Sequence, residues 1–111
     1  MSGTDLLGEF EQLVLLAVLQ QRHHGYAILL RQRIEEVTER TVSRGALYRT
    51  LDRLEAKGYV AWDLEEPSEE RGGHPRKRFR VLEAGVEALR RSRAVVSQLS
   101  EGLEDMLEQP S

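Results

Sequence analysis

The stretch from Val42 to Gly58, VSRGALYRTLDRLEAKG, decides the fold of this 111-residue chain. Ser43 suits the N-cap position, where its hydroxyl would accept a backbone N–H of the first helical turn. Gly58 suits the position that ends a helix. Three leucines repeat at the i, i+4, i+7 spacing of one buried helix face, and they are Leu47, Leu51 and Leu54. The stretch therefore predicts one short helix that packs on a core.

The helix face opposite the leucines is left for a partner. At 100° per residue this face carries Gly45, Arg49, Asp52 and Ala56, and it is flanked by Tyr48 and Arg53. Arg49 is the candidate for base readout, because a guanidinium can bond guanine O6 and N7 together. The alternative is an ion pair with Asp52 or Glu55.

Three further residues of this helix suit contacts with a nucleic-acid backbone. Ser43 and Arg44 lie at the helix N-terminus, where phosphate binding is favoured. Tyr48 has a hydroxyl that can bond a phosphate or a base, and the alternative is that it packs at the helix edge. We expect the contact because the leucines already fill the core positions.

A basic hairpin follows the helix. Residues Tyr59 to Glu65 alternate apolar and polar side chains, which predicts a half-buried strand. A turn from Pro67 to Pro75 leads to a return strand, Arg76 to Leu82. Four residues of the turn and return strand could follow a phosphate backbone, namely Arg71, His74, Arg76 and Lys77. Helix, strand and basic hairpin in this order predict a winged helix-turn-helix.

Two helices precede the central one. The first is predicted from Asp5 or Leu6 to Gln20, with one apolar face that includes Leu6 and Phe10 and another that includes Leu7 and Val14. The sequence His23-His24-Gly25 breaks it. The second helix is predicted from Tyr26 to about Val37, and its buried stripe is Tyr26, Leu30, Ile34 and Val37.

A last helix is predicted from Glu83 to Leu107. Its length of about 37 Å at 1.5 Å per residue exceeds what a small domain needs. Apolar residues recur along it at spacings of three, four and seven, with Ser92 at the missing position; they are Leu89, Val96, Leu99, Leu103 and Met106. Such a seam is typical of a helix that packs on a partner chain. The alternative is that the helix folds back on its own domain.

Charge is distributed unevenly along the chain. The net charge is −3, but residues 22–58 carry +3 and residues 71–93 carry +6, while the segments between and around them are acidic. Attraction to phosphate depends on the local patch and not on the total. The alternative for such blocks is that they are solvated helix faces.

Composition excludes several classes of protein. The chain has no cysteine, so it has no disulfide or thiolate metal site. Its longest apolar run, Leu13 to Leu19, is too short to span a bilayer, and its acidic N-terminus is unlike a signal peptide. We expect a cytoplasmic protein with no membrane contact and no cofactor. His23 and His24 are adjacent on a loop, a poor geometry for a metal site, and no nucleophile motif suggests an enzyme.

Four segments together resemble the PadR-like transcriptional regulators. They are LVLLAVL in the first helix, HGYAI at the start of the second, VSRGALYRTLDRLEAKGYV through the central helix, and GGHPRKRFRVLEAG across the wing, and the resemblance covers about residues 6–107. It implies a homodimer on a palindromic DNA operator, with the central helix in the major groove. The single C-terminal helix is similar to that of the small subfamily, some of whose members bind flat apolar effectors.

The chain departs from that family at several positions. Arg44 and Arg49 stand where the family tends to have proline, and both add positive charge to the central helix. Leu82 replaces a threonine that would cap the last helix, and Arg78-Phe79 replaces two tyrosines. Glu69 and Glu70 flank the wing and would repel phosphate.

These observations lead to one main prediction. Residues 1–82 form a mainly α domain with a small β-hairpin, a winged helix-turn-helix that binds double-stranded DNA, and residues 83–111 form a dimerisation helix and tail. The function is that of a repressor, with a small-molecule effector of unknown identity. The residues expected to bind DNA are Ser43, Arg44, Tyr48, Arg49, Arg53, Arg71, His74, Arg76 and Lys77. The residues expected at the dimer interface are Leu7, Val14, Leu89, Val96, Leu99, Leu103 and Met106.

Two other functions compete with this prediction. A winged-helix module that binds proteins and not DNA would fit the negative total charge and the acidic residues beside the wing. A metal-sensing regulator is disfavoured, because the chain lacks thiols and its histidines are poorly placed. Trp62 lies on a predicted strand and is expected in the core or at a dimer edge. The last helix itself has no aromatic residue on which an effector could stack.

Overall fold

The fold is a group of helices with a two-stranded hairpin beside it. The structure, a computed structural model, describes residues 6–66, 72 and 74–108. Its elements in chain order are α1 (Glu9–Gln21), a short 3-10 helix (Arg22–His24), α2 (Ala27–Thr38), α3 (Arg44–Ala56), β1 (Val60–Leu64), β2 (Lys77–Val81), α4 (Glu83–Ser100) and α5 (Glu104–Leu107). This order confirms the predicted mainly α fold with a small hairpin.

The leucine face of α3 lies at the centre of the core. All three of its leucines are at most 1% exposed. They share one apolar cluster with Val14 and Leu15 of α1, Leu30 of α2 and Val60 of β1. Burial of each such side chain contributes about 1.5–3 kcal/mol, so this face fixes how α3 is oriented.

Both ends of α3 are closed by local hydrogen bonds. The Ser43 hydroxyl accepts the Ala46 N–H at 3.1 Å, as an N-cap does. At the other end Gly58 has φ of 79°, and its N–H donates to the Glu55 carbonyl at 2.9 Å. The Tyr59 N–H donates to the Leu54 carbonyl at 2.9 Å, which completes a Schellman motif. Both predicted ends are confirmed.

The hairpin is held on the helices at a glycine. β1 and β2 pair antiparallel, with Trp62 opposite Phe79 and Asp63 opposite Arg78. The Phe79 N–H donates to the Gly25 carbonyl at 2.8 Å. A Cβ added at Gly25 would lie 2.2 Å from the Phe79 carbonyl oxygen, so only glycine permits this approach. Gly25 therefore ends the first helical segment and also seats the hairpin.

Two predictions about the first helices are wrong in detail. α1 begins at Glu9 and not at Asp5 or Leu6, because Gly8 has an extended backbone and its N–H donates to Glu11 Oε1 at 2.8 Å. Val37 was expected in the buried stripe of α2, but it is 60% exposed. It lies on the last turn of α2, where none of the other described elements covers it.

The last helix is shorter than predicted. α4 ends at Ser100, the chain turns at Gly102 with φ of 84°, and α5 follows as a separate turn. At 1.5 Å per residue α4 is about 27 Å long. Its first half packs on the domain through Ala88 and Leu89, so the alternative of folding back holds for that half.

Three residues expected at a dimer interface lie in the chain's own core instead. Leu7, Val14 and Leu89 are at most 5% exposed. Leu7 is further tied down because its N–H donates to the Ser92 hydroxyl at 3.0 Å. These three side chains have no area left for a partner, which corrects that part of the prediction. The other four, Val96, Leu99, Leu103 and Met106, are exposed.

Candidate nucleic-acid interface

The N-terminal half of α3 presents two arginines to solvent. Arg44 and Arg49 are both exposed, and the structure gives neither an ion pair among the described residues. Neither of the competing ion pairs, with Asp52 or with Glu55, is formed, and Glu55 Oε2 instead accepts the Trp62 Nε1–H at 3.1 Å. A Cβ at Gly45 would lie 3.1 Å from Arg49 Nη1, so the Arg49 side chain lies back over Gly45.

Tyr48 lies at the edge of this face. Its ring is partly buried, and the Arg44 Cζ lies 5.5 Å from the ring centroid, within the range of a cation–π contact. The Tyr48 ring therefore packs at the helix edge, which is the alternative to a DNA contact, and it also contacts the exposed Arg44. Ser43 is exposed too, and its hydroxyl is engaged in capping α3.

Arg53 has a partner that the sequence did not indicate. Its Nε lies 3.3 Å from Glu11 Oε2, and its Nη2 donates to the Thr50 hydroxyl at 3.4 Å. Lys57 Nζ lies 3.1 Å from the same Glu11 oxygen. Arg53 is thus engaged with α1, and this placement gives no support to a DNA contact by Arg53.

Glu11 is the buried acid at this junction, and it is only 6% exposed. Burial alone would raise the pKa of Glu11. Hydrogen bonds from the Gly8 N–H, Lys57 and Arg53 outweigh burial, so its pKa lies below the usual value. The ionised Glu11 therefore joins α1 to the C-terminal end of α3.

Two arginines of the hairpin, Arg76 and Arg78, are each paired with an acid on the opposite side of the hairpin. Arg76 donates from Nε and Nη2 to Glu65 Oε1 at 3.3 and 3.1 Å, and its Cζ lies 3.8 Å from the Tyr26 ring centroid. The Tyr26 hydroxyl donates to the other Glu65 oxygen. Arg78 donates to both oxygens of Asp63, at 3.3 and 2.9 Å.

The remaining hairpin residues differ in their surroundings. The hydrogen bond from Arg78 lowers the pKa of Asp63, so that pair stays ionised at neutral pH. Trp62 is partly buried and packs against the core cluster, and Lys77 Nζ lies 4.2 Å from its ring centroid. His74 is exposed. Arg71, Glu69 and Glu70 lie outside the described residues.

A cleft of about 510 Å³ separates α3 from the hairpin. It is bounded by the first turns of α2 and α3 and by the start of β2. Four cations line it, two of them from helices and two from the hairpin: Arg31, Arg44, Arg76 and Lys77. Arg31 is not among the residues that the sequence predicts to bind DNA. Its position one turn after Ala27, on the side of α2 that meets the cleft, is the signal that could have indicated it.

Within residues 6–66, 72 and 74–108, no three His, Asp or Glu side chains lie close enough together to hold a metal ion. None of the helices in the described part of the chain is both long and apolar enough to cross a membrane.

The family model of the transcriptional regulator PadR-like family matches residues 14–91. The chain belongs to the PadR-like family. The match runs from the middle of α1 through α3 and the hairpin into α4, so it includes the exposed face of α3 and the whole cleft. This membership makes the protein a transcriptional regulator. Val96 and Leu99 of α4 lie beyond the matched residues.

Solved structures of PadR-like and other regulators share the fold. A PadR family regulator from Eggerthella lenta is 26% identical with a TM-score of 0.65, over 92% of this chain and 88% of that one. A Streptococcus transcriptional regulator is 27% identical with a TM-score of 0.69, over 87% and 90%. A PadR-like regulator from Bacillus cereus is 21% identical with a TM-score of 0.70, over 91% and 93%. A comparison with curated proteins gave no match.

Proposed function

We propose that this PadR-like protein is a cytoplasmic repressor that binds a palindromic DNA operator as a homodimer. The observation that carries the proposal is the pair Arg44 and Arg49, exposed on α3 and without an ion pair among the described residues. Placed in a major groove, Arg49 would read a guanine while Arg44 and Ser43 would meet the phosphates. A dimer seated on its operator would exclude the polymerase from the promoter.

The test of DNA readout is Arg49→Ala. Selection of bound fragments from the source genome would first supply an operator. We expect the variant to lose roughly 1–3 kcal/mol of specific binding at one base pair and to keep its nonspecific binding. Arg90→Ala is the matched control, because Arg90 is an exposed arginine of α4 paired with Glu87. Equal loss on every sequence would instead make Arg49 a phosphate contact.

The proposed dimer surface is the apolar end of the chain. Val96 and Leu99 on α4 are exposed, as are Met106 and Leu107 on α5. Large apolar side chains exposed in this number along one end of a chain are typical of an interface. This surface replaces the longer seam that the sequence predicted.

The test of the dimer surface is Leu99→Asp. Leu99 is 77% exposed in the single chain, so the substitution should not disturb the fold of a protomer. We expect monomers by analytical sedimentation with an unchanged circular dichroism spectrum. Gln98→Asp, at an exposed neighbour, should stay dimeric. An unchanged dimer for Leu99→Asp would rule out this surface.

Response to a small-molecule effector stays a prediction. An open groove of about 400 Å³, within the size range of small-ligand sites, lies between α1 and the start of α3. Phe10, Leu13 and Ile34 give it an apolar wall, and Ser43 lies at its edge. A ligand there would contact the first turn of α3, and operator affinity measured with candidate ligands tests this.

The second candidate function is a protein-interaction module. The observation that favours it is the hairpin, whose Arg76 and Arg78 are already paired with Glu65 and Asp63. Binding to mixed-sequence duplex DNA at several salt concentrations separates the two functions. A DNA-binding protein loses affinity steeply with salt, whereas an interaction module would show no binding to lose.

A further inference from the structure

We propose that Arg31 of α2 contacts a DNA phosphate, and that the cleft between α3 and the hairpin seats one stretch of the phosphate backbone. This inference rests on the proposed DNA binding and adds a residue to it. The helix before the recognition helix would then take part in docking.

The first observation is an unsatisfied donor on Arg31. Its Nε is buried and has no hydrogen-bond acceptor, while the residue as a whole is partly exposed and lines the cleft. Leaving a buried charged donor unbonded is costly, so such groups call for an explanation beyond folding. A guanidinium held at the cleft wall without an acceptor is prepared for an anion.

The second observation is that the neighbouring acids are engaged elsewhere. Glu35 of α2 accepts the Val42 N–H at 2.8 Å, and Glu36 pairs with Arg33. None of the described residues that line the cleft is acidic. An anion entering the cleft would therefore meet positive charge without a competing carboxylate on its walls.

The third observation separates Arg31 from the other cations of the cleft. Arg76 is paired with Glu65 and stacks on Tyr26. Lys77 lies over the Trp62 ring and Arg44 over the Tyr48 ring. Arg31 has no ion pair or ring contact in the described part of the chain. It is the lining cation with the most binding capacity left.

The position of the cleft selects a duplex phosphate as the anion. The cleft opens beside the first turn of α3, and a DNA strand bordering a groove occupied by α3 would pass in front of it. The planar guanidinium can bond two phosphate oxygens at once. Such a contact positions the protein on DNA without reading its sequence.

The experiment compares Arg31→Gln with Arg33→Gln, which lies on the same helix but pairs with Glu36. Affinity for the operator and for a mixed-sequence duplex is measured by fluorescence anisotropy over a series of salt concentrations. Arg31→Gln should weaken binding to both duplexes by about tenfold at low salt, the size of one charge-assisted bond. The slope of log affinity against log salt should fall by about 0.9, as for one lost phosphate contact.

The controls separate failure of this inference from failure of the proposed function. Arg33→Gln should keep the wild-type slope, and Arg31→Lys should keep most of it. Arg31→Gln should unfold at the wild-type temperature, because the substitution removes a donor that makes no hydrogen bond among the described residues of the folded protein. Thermal unfolding checks this. If Arg31→Gln keeps the wild-type slope of log affinity against log salt, whether or not its affinity falls, only the proposed role of Arg31 is overturned. Absence of salt-dependent binding by the wild type would overturn both proposals.

Discussion

The N-terminal half of α3 and the hairpin are both rich in arginine, but they hold their charges differently. On the hairpin, Arg76 and Arg78 are paired with Glu65 and Asp63 at 3.1 and 2.9 Å. On α3, Arg44 and Arg49 are exposed, and the described residues give them no ion pair. The comparison teaches that the number of arginines in a segment does not tell which segment can bind phosphate.

The difference follows from the geometry of the two elements. In an antiparallel hairpin the register places Asp63 directly opposite Arg78, where opposite charges attract. On a helix the neighbours lie three and four residues away, and for Arg44 these are Leu47 and Tyr48. Arg76 and Arg78 are therefore neutralised within the hairpin, whereas Arg44 and Arg49 keep their charge for a partner.

The largest predicted effect comes from a substitution that disrupts the seating of the hairpin on the helices and leaves α3 unchanged. Gly25→Ala would place a Cβ 2.2 Å from the Phe79 carbonyl oxygen, so the backbone must shift. We expect a loss of about 3 kcal/mol in the free energy of unfolding, at the upper end for overpacking. Chemical denaturation measures it.

Gly45→Ala is the matched control on α3. The new Cβ would meet only the tip of the flexible Arg49 side chain, at 3.1 Å. Alanine is also favoured over glycine within a helix, by roughly 0.5–1 kcal/mol, so stability should not fall. Equal destabilisation by the two substitutions would show that Gly25 does not seat the hairpin.

The next largest effect concerns the C-terminal end of α3. There Arg53 and Lys57 form ion pairs with Glu11, in contrast to the arginines of the N-terminal half, which have no ion pair among the described residues. Glu11→Gln removes the charge that holds Arg53 and Lys57. A hydrogen bond to a charged group contributes about 1.5–3 kcal/mol to stability. We therefore expect the free energy of unfolding to fall by about 2 kcal/mol at neutral pH. Denaturant titrations at several pH values measure it.

The pH dependence follows from the lowered pKa of Glu11. The unfolded chain takes up the proton first, near the ordinary value of 4.5, and the folded protein only at a lower pH. The stabilisation is therefore complete above the unfolded pKa and is lost as the pH falls through the folded pKa. The gap between wild type and Glu11→Gln should close in that range, and a constant gap would contradict the role of the charge.

The smallest predicted effect comes from removing an ion pair of the hairpin, so that Arg76 loses its acidic partner and becomes more like the arginines of α3. Glu65→Gln keeps an acceptor for the Tyr26 hydroxyl but removes the charge that faces Arg76. Affinity for duplex DNA should rise by about 0.5 kcal/mol, the size typical of an exposed ion pair. Anisotropy titration measures it, with Glu87→Gln on α4 as the control. A fall in affinity would show that the pair itself helps DNA binding.

The sequence was sufficient for features that depend on neighbouring residues. The leucine spacing, the Ser43 cap and the Gly58 end of α3 are local patterns, and the structure confirms them. The order of helices and hairpin followed in the same way, and the family match confirms the resemblance. The break that Gly102 makes between α4 and α5 depends on its φ of 84°, which no local pattern indicates.

Features that join distant parts of the chain could not be read from the sequence. Glu11 meets Arg53 and Lys57 across 42 and 46 residues, so no local pattern links them. The cleft that exposes Arg31 exists only once α2, α3 and β2 have packed together. Burial of Leu7 and Leu89 likewise depends on how α1 and α4 cross the core.

The most direct test of the central claim compares two double variants by the salt dependence of duplex binding. One is Arg44→Gln with Arg49→Gln on α3, and the other is Asp63→Asn with Arg78→Gln, which removes one hairpin pair without changing net charge. We predict that the slope falls by about 0.9 for the α3 variant, as for the lost phosphate contact of Arg44, and stays at the wild-type value for the hairpin variant. A wild-type slope for the α3 variant together with a reduced slope for the hairpin variant would contradict the account.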